Sequence, residues 1–230
     1  MGNARTLLWT VSKEWSATVF LIAGGLLSVA TAINGIDLFT PVATQKGTLL
    51  FIEDLTGFGG VVLSFVGLLG LYPRLADAEP RLARAGISLA VLPAAFFFTL
   101  LVVCTMLAPL LGFPSLKTLV PPLRLITETT LILYAVATTL FGVASLRSSG
   151  LSRIVGGSLL LVAVTWFGFF SALVIYQYEI PIWVTFVQSI TLAVPLIAIG
   201  YCLPSESEPA VPGRIIDDAR SILDSGSSNR

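Results

Sequence analysis

Histidine is absent from this 230-residue chain, and charged residues of every kind are scarce. The absence removes the commonest metal ligand, the usual general base and the usual haem ligand together. Charged residues make up 11% of the chain, whereas soluble domains carry about 25%. Lys plus Arg equals Asp plus Glu at 13 each, so the chain lacks the surplus of positive charge that nucleic-acid binding needs.

Reactive motifs are missing as well. The two cysteines, Cys104 and Cys202, lie inside apolar runs, and their spacing fits neither a disulfide framework nor a metal site. We expect both to be small buried side chains. The sequence has no nucleophile elbow, phosphate loop or dinucleotide fingerprint. It therefore predicts a protein that is not an enzyme and that has no cofactor, no metal and no nucleic-acid partner.

Long apolar runs are what the chain does contain. Hydrophobic residues make up 55% of it, and the mean hydropathy is +0.92. Six runs have about the 20-residue length that crosses a bilayer. We predict an all-α, polytopic integral protein of the cell membrane, in contact with lipid, whose transmembrane domain covers residues 16–203. The predicted helices are 16–33, 52–72, 87–111, 123–146, 154–176 and 182–203.

The first run allows two interpretations. Ala30-Thr31-Ala32 has the form of a signal-peptidase site that follows an apolar region. The run is long for such a region, however, and Gly24, Ser28 and Ala32 form a small-residue stripe suited to helix packing. These two features favour an uncleaved membrane helix.

Basic residues predict the orientation. Arg74, Arg81, Arg84, Arg147 and Arg153 all lie in connections on one side of the predicted bundle. The N-terminal segment 1–15 and the tail 204–230 carry further basic residues on the same side. By the positive-inside rule, both termini are predicted to be cytoplasmic.

The tail carries apolar residues at helical spacing over residues 214–224. This pattern predicts a short amphipathic helix, which either rests against its own protein or docks a cytoplasmic partner. Helices this short are marginal in water by themselves.

The second and third helices show a faint echo in the fourth and fifth. Each pair begins with a carboxylate, Glu53 or Glu128, and reaches a glycine fourteen residues later, Gly67 or Gly142. Both pairs resume after a basic turn with Arg and Gly, as Arg84-Ala85-Gly86 and as Arg153 followed by Gly156. This echo predicts a parallel duplication of a two-helix hairpin.

The segment from Leu140 to Gly157, with its Arg147-Ser-Ser-Gly-Leu-Ser-Arg153 turn, resembles the hairpins of small uncharacterised multi-helix membrane proteins of bacteria and archaea. The segment Gly70-Leu71-Tyr72-Pro73-Arg74, together with Arg84-Ala85-Gly86, is similar. The preference for Arg over Lys and the Ser, Glu and Asp content of the tail also resemble proteins of salt-loving archaea. The resemblance implies a multi-helix membrane fold and no particular activity.

Four polar side chains are the candidate transport or ion site. Arg124 and Glu128 are four residues apart and so lie within reach on one helix face. Glu53 holds a similar position on the second helix, and Gln188 is expected to face the bundle. Ionisable residues in membrane segments are costly and often functional. The alternative is that Arg124 and Glu128 are interfacial anchors, because a carboxylate favours a helix N-terminus and an arginine reaches water by snorkelling.

These features favour a non-catalytic scaffold or accessory membrane subunit, which associates with other membrane proteins or with copies of itself. The alternative is a small-solute or ion-coupled transporter that uses a carboxylate in the outer leaflet.

Overall fold

The computed structural model describes residues 2–40, 48–107 and 123–203, and every regular element in these ranges is helical. Six of the helices are long and apolar enough to cross a membrane. This confirms the helical class and the number of candidate spans. The helices are α1 (Gly2–Phe39), α2 (Thr48–Ala78), α3 (Pro80–Val102), α4 (Arg124–Arg147), α5 (Arg153–Ile175) and α6 (Ile182–Cys202).

The first helix is longer than the predicted 16–33 at both ends. It begins at Gly2 and runs without a break to Phe39, so Asn34 belongs to the helix rather than to a loop. Ile36 and Phe39 extend the apolar run, and the Asn34 side chain donates to the Ala30 carbonyl one turn earlier, at 3.0 Å. The predicted cleavage motif lies within this continuous helix, and its cleavage stays untested.

The second and third helices nearly meet. The predicted end of the second helix at 72 was too early, because Pro73 lies inside α2 and the helix continues to Ala78. Only Glu79 separates it from α3, which begins at Pro80 instead of 87. Backbone bonds bridge the junction, from the Glu79 amide to Leu75 and from the Ala83 amide to Glu79. A proline at the first helical position suits this start, since its missing N–H would have no helical partner.

The other boundaries lie closer to prediction. α3 ends at Val102 and passes into a π-helical turn, Val103–Leu107. α4, α5 and α6 each lie within one residue of the predicted bounds. The predicted third-helix end at 111 and the predicted tail helix over 214–224 lie outside the described residues.

The six helices form a closed antiparallel ring. Each helix packs against its neighbour in the chain, and α6 closes the ring against α1. Arg74, Arg81, Arg84, Arg147 and Arg153 lie at one end of the bundle, which we call the basic end. The opposite end, where α1, α3 and α5 finish and α2, α4 and α6 begin, we call the carboxylate end. α1 starts and α6 finishes at the basic end.

Glycines determine which helices approach most closely. A Cβ on Gly24 would lie 3.0 Å from the Ala193 carbonyl oxygen of α6, and one on Gly60 would lie 2.9 Å from the Ala23 oxygen of α1. Gly142 and Gly156 face each other's carbonyl oxygens between α4 and α5, at 3.1 and 3.0 Å from the added Cβ atoms. Small residues of this kind let membrane helices pack tightly.

These contacts divide the ring into two groups. α6, α1 and α2 are held together by close glycine contacts around α1. α3, α4 and α5 are held in the same way around α4, where Gly86 packs on the Phe141 ring. Among the glycines whose neighbours lie in the described part of the chain, none makes a comparable approach between α2 and α3 or between α5 and α6. The ring therefore has two seams.

The ring is filled on its basic side and through its middle. Leu68, Leu71, Phe141 and Val155 are fully buried there. At mid-depth the Tyr134 hydroxyl shares a 2.5 Å hydrogen bond with Ser64, which links α4 to α2 across the ring. The Tyr134 ring also stacks on Phe65 at 4.1 Å between centroids. These side chains form a layer that separates the basic half of the ring from a cavity in its carboxylate half.

The predicted duplication stays a prediction. The glycines that the echo pairs meet different neighbours: Gly142 packs on α5, whereas its counterpart Gly67 packs on Phe20 of α1. Gly156 packs on α4 of its own hairpin, whereas its counterpart Gly86 packs on α4 of the other hairpin instead of on α2.

Candidate functional site

A cavity of about 550 Å³ occupies the carboxylate half of the ring. All six helices line it, together with the connection between α5 and α6. Its depth follows from its lining on α2, which runs from Glu53 to Val61, or about 12 Å at 1.5 Å per residue. The volume lies within the range of small-molecule sites, about 300–1,000 Å³.

The cavity has two chemically different walls. The wall formed by α1, α2 and α6 is rich in polar side chains: Asn34, Glu53, Asp54, Thr185, Gln188 and Ser189. The wall formed by α3 and α5 is aromatic and apolar: Phe96, Phe97, Leu100, Trp166, Phe169 and Leu173. Phe97 and Trp166 stack at 5.5 Å between centroids, and Trp166 reaches Tyr134 at 5.3 Å. The two walls belong to the two glycine-packed groups, so the cavity lies between those groups.

Three lining side chains carry a buried polar atom that has no hydrogen-bond partner within the described ranges: Asn34 Oδ1, Thr127 Oγ1 and Trp166 Nε1. Their residues are 1%, 9% and 3% exposed. The Asn34 amide is oriented by the bond from its Nδ2 to the Ala30 carbonyl, which leaves Oδ1 as the open acceptor. An unpaired buried polar atom costs about 1–3 kcal/mol. Each of the three atoms has almost no accessible surface, so they lie within the packed wall rather than on its exposed face.

Carboxylates surround the carboxylate end of the cavity. Glu53 and Asp54 line it from half-buried positions on α2, and Glu179 lines it from the connection before α6. No Lys or Arg lines the cavity within the described residues.

Arg124 and Glu128 form a clasp with Tyr178 beside the cavity. Arg124 Nε donates to Glu128 Oε1 at 2.9 Å, and the Tyr178 hydroxyl donates to the same oxygen at 2.7 Å. The guanidinium carbon also lies 5.1 Å from the centre of the Tyr178 ring, a cation–π distance. The clasp ties the start of α4 to the connection between α5 and α6.

Tyr178 is held in an unusual backbone conformation. Gln177 and Tyr178 have φ angles of 49° and 71°, a left-handed region that costs a non-glycine residue about 1–2 kcal/mol. Partial burial and the hydrogen bond to Glu128 raise the pKa of Tyr178 to about 12, so its hydroxyl stays a donor at neutral pH. Because Tyr178 also lines the cavity, the clasp holds part of the cavity wall in place.

The structure separates the four candidate residues into two pairs. Arg124 and Glu128 make the contact expected from their spacing, but neither is among the side chains that line the cavity. Glu53 and Gln188 lie on the cavity wall, on α2 and α6. The geometry therefore favours the anchor interpretation for Arg124 and Glu128, and it places Glu53 and Gln188 beside the same space.

Sequence reasoning missed Asn34, Thr127 and the aromatic wall. Asn34 was assigned to a loop, and Phe97 and Trp166 were counted only as apolar content. One signal in the sequence could have indicated the site: Asn34, Glu53 and Gln188 all lie within a few turns of the helix ends that meet at the carboxylate end. No group of three metal-ligating side chains occurs among the described residues.

Comparisons with protein-family models, with curated proteins and with solved structures found no match. The resemblance to small multi-helix membrane proteins stays an expectation from the sequence. The function has to be argued from the site itself.

Proposed function

We propose that this protein is a carrier in the cell membrane that binds a small molecule in the cavity at the carboxylate end. The observation that carries the proposal is a cavity of about 550 Å³ that all six helices line, with a polar wall that includes Glu53 and Gln188 and an aromatic wall that includes Trp166. A scaffold that only packs against other helices has no need for such a space in its centre. The positive-inside rule then puts both termini in the cytoplasm and the cavity on the outer side.

The closed basic half supports a carrier rather than an open channel. Below the cavity, the hydrogen bond between Ser64 and Tyr134 and the stacked Phe65 ring fill the centre of the ring. A carrier needs one end closed while the other is accessible. The two seams, between α2 and α3 and between α5 and α6, are the interfaces where none of the described close glycine contacts lies. Movement of the two groups at these seams is how such a carrier would change its accessible end.

The second candidate is the accessory subunit expected from the sequence. Its support is the exposed apolar surface of α3 and α5: in an 18-residue apolar stretch of each, 28% of the residues are buried, compared with 56% in α4. Such faces pack against lipid or against another membrane protein. The tail 204–230 stays a candidate docking segment, and an unchanged set of co-purifying proteins after deletion beyond Pro212 would remove that idea.

Native mass spectrometry of the protein, extracted gently from its own membrane, tests the carrier against the accessory subunit. The carrier proposal predicts a small molecule retained by a monomer or homo-oligomer, and uptake of that molecule by proteoliposomes. A second polypeptide at fixed stoichiometry, with no small molecule and no uptake, would favour the accessory subunit.

A further inference from the structure

We propose that the cavity accepts an uncharged molecule that has a hydrogen-bonding head and an apolar, ring-containing body. The head lies against Thr185, Gln188 and Ser189 of α6, and the body lies against the aromatic rings of α3 and α5. This inference rests on the proposed carrier function, because it names the class of molecule that the same cavity takes. It follows from the open hydrogen-bonding groups on α6, from the charges around the cavity and from the depth of the rings.

Three side chains of α6 have polar atoms that are open to the cavity. Thr185, Gln188 and Ser189 all line it, and their spacing of three and four residues puts them on one helix face. No side-chain hydrogen bond joins any of them to another described residue. None of them is among the described side chains whose unpaired polar atoms are enclosed by protein. Their hydroxyl and amide groups are therefore accessible to a ligand.

Other hydroxyl groups on the membrane helices are already bonded to their own helix. Thr191 on α6 donates to the Val187 carbonyl at 2.7 Å. Thr139 and Thr165 make the same kind of bond within α4 and α5, at 2.7 and 2.9 Å. A hydroxyl bonded in this way has used its single donor. The α6 groups at the cavity keep donors and acceptors available, and the Gln188 amide alone offers two donors and an acceptor.

The charges around the cavity favour an uncharged ligand. Glu53 and Asp54 already have interaction partners in the protein, and Glu179 is exposed in the connection before α6. No Lys or Arg of the described ranges lines the cavity. A charged ligand would therefore lose hydration without gaining an uncommitted opposite charge inside the cavity, and burial of such a charge is costly. An amide or hydroxyl group loses less hydration and regains hydrogen bonds from α6.

The aromatic rings lie at the depth of the α6 groups and below them. Gln188 lies six residues after the start of α6 and Phe169 six residues before the end of α5, so both are about 9 Å into the bundle. Trp166 is about 14 Å in by the same measure. Its ring centroid lies 5.5 Å from that of Phe97 and 6.2 Å from that of Phe169. Aromatic rings bury apolar groups and stack on other rings, so a molecule with a polar head beside α6 and a ring-containing body uses both walls.

The test measures binding of three probes that differ in one group to the purified full-length protein at pH 7. They are the uncharged 3-phenylpropanamide, the anion 3-phenylpropionate and the cation 3-phenylpropanamidinium, which share one shape. Each is titrated by calorimetry, and a titration into the same detergent without protein is subtracted. We expect the amide to bind at least about tenfold more tightly than either ion, which corresponds to about 1.4 kcal/mol or more.

Binding of either ion as tightly as the amide, or no binding of the amide, would overturn the assignment to an uncharged molecule. The carrier proposal is judged separately, by the small molecule retained in native mass spectrometry and by its uptake. The comparison of probes uses the unaltered protein, so it does not depend on any variant folding.

Gln188→Met tests where the head lies. Methionine keeps the length of the side chain and removes its amide. We expect this substitution to weaken binding of 3-phenylpropanamide about fivefold, the worth of one hydrogen bond. Binding of isopentylbenzene, an apolar probe of the same shape, should stay unchanged, which also shows that the variant keeps its cavity. Equal effects on the two probes, or no effect on either, would contradict a head placed against α6.

Thr185→Val and Thr191→Val form a matched pair on the same helix. Both remove a hydroxyl from a half-buried threonine, but of the two only Thr185 is among the described residues that line the cavity. We expect Thr185→Val to weaken binding of 3-phenylpropanamide about two- to fivefold and Thr191→Val to leave it unchanged. Equal effects of the two substitutions would argue against direct contact between the head and this face of α6.

Discussion

Closure of the ring between α1 and α6 predicts opposite effects for two adjacent alanine substitutions. A methyl group on Gly24 would lie 2.5 Å from Ile197 Cγ1, 3.0 Å from the Ala193 carbonyl oxygen and 3.0 Å from the Ile197 amide nitrogen. The isoleucine side chain can rotate, but the two backbone atoms move only if α6 moves away. A methyl group on Gly25 would meet nothing within 4 Å.

The magnitudes follow from two opposing effects. Overpacking of a tight interface costs about 1–3 kcal/mol, whereas replacing a helical glycine by alanine gains about 0.5–1 kcal/mol. We therefore expect Gly24→Ala to lower the free energy of unfolding by about 0.5–2 kcal/mol. Gly25→Ala should leave this free energy unchanged or raise it slightly, since only the second effect applies.

The assay is unfolding of the purified protein in mixed micelles by an increasing fraction of denaturing detergent, followed by circular dichroism. Gly200→Ala provides an independent check of the same interface, because its methyl group would lie 2.9 Å from the Ala17 carbonyl oxygen. It should behave like Gly24→Ala. If Gly24→Ala and Gly25→Ala unfold at the same detergent fraction, α1 and α6 do not approach each other as closely as described.

Three further substitutions test the core, the clasp and an unpaired hydroxyl. Tyr134→Phe removes the hydrogen bond to Ser64 and should lower the free energy of unfolding by about 1 kcal/mol; an unchanged unfolding midpoint would contradict the link across the ring. Tyr178→Phe tests the clasp. In the folded protein the pKa of Tyr178 is raised from 10.0 to about 12. The hydroxyl bond to Glu128 therefore contributes fully to the free energy of unfolding below pH 10, and this contribution is lost as the pH rises towards 12. The unaltered protein should therefore lose stability over that range relative to Tyr178→Phe, and parallel pH profiles would argue against the hydroxyl bond to Glu128. Thr130→Val removes a buried hydroxyl that has no partner in the described chain and should raise the free energy of unfolding by about 1 kcal/mol; a decrease would mean that this hydroxyl is bonded.

The six candidate spans were predictable because hydropathy and length are local properties of the chain. The contact between Arg124 and Glu128 was predictable for the same reason, since residues four apart on a helix are neighbours wherever the helix lies. Boundaries were harder. Pro73 interrupts a helix in water, but within α2 the chain continues past it, and Asn34 stays helical by bonding to Ala30.

The cavity was not predictable, because it depends on which helix faces meet. Asn34, Phe97 and Trp166 come from α1, α3 and α5, and nothing in their local sequence indicates a shared space. The glycine contacts that set the spacing of the helices are equally nonlocal. Gly24 and Gly25 are adjacent glycines that the sequence does not distinguish. Gly24 lies in the interface with α6, whereas a Cβ on Gly25 would meet nothing within 4 Å.

The most direct test of the ligand-binding cavity fills it from one side. Gly57 lines the cavity, and among the described residues a Cβ there would meet Ala30 Cβ alone, at 3.9 Å, so a leucine has room to enter the space. Gly168 on α5 is exposed, and a Cβ there would meet nothing within 4 Å, which makes Gly168→Leu the matched control on the outer surface.

The measurement is the shift in thermal unfolding midpoint that a saturating concentration of the small molecule retained in native mass spectrometry produces in each protein. We predict a clear upward shift for the unaltered protein and for Gly168→Leu, because a ligand that binds only the folded state stabilises it. Gly57→Leu should show no shift while it keeps its own unfolding midpoint. A shift of the same size in Gly57→Leu would contradict binding in this cavity.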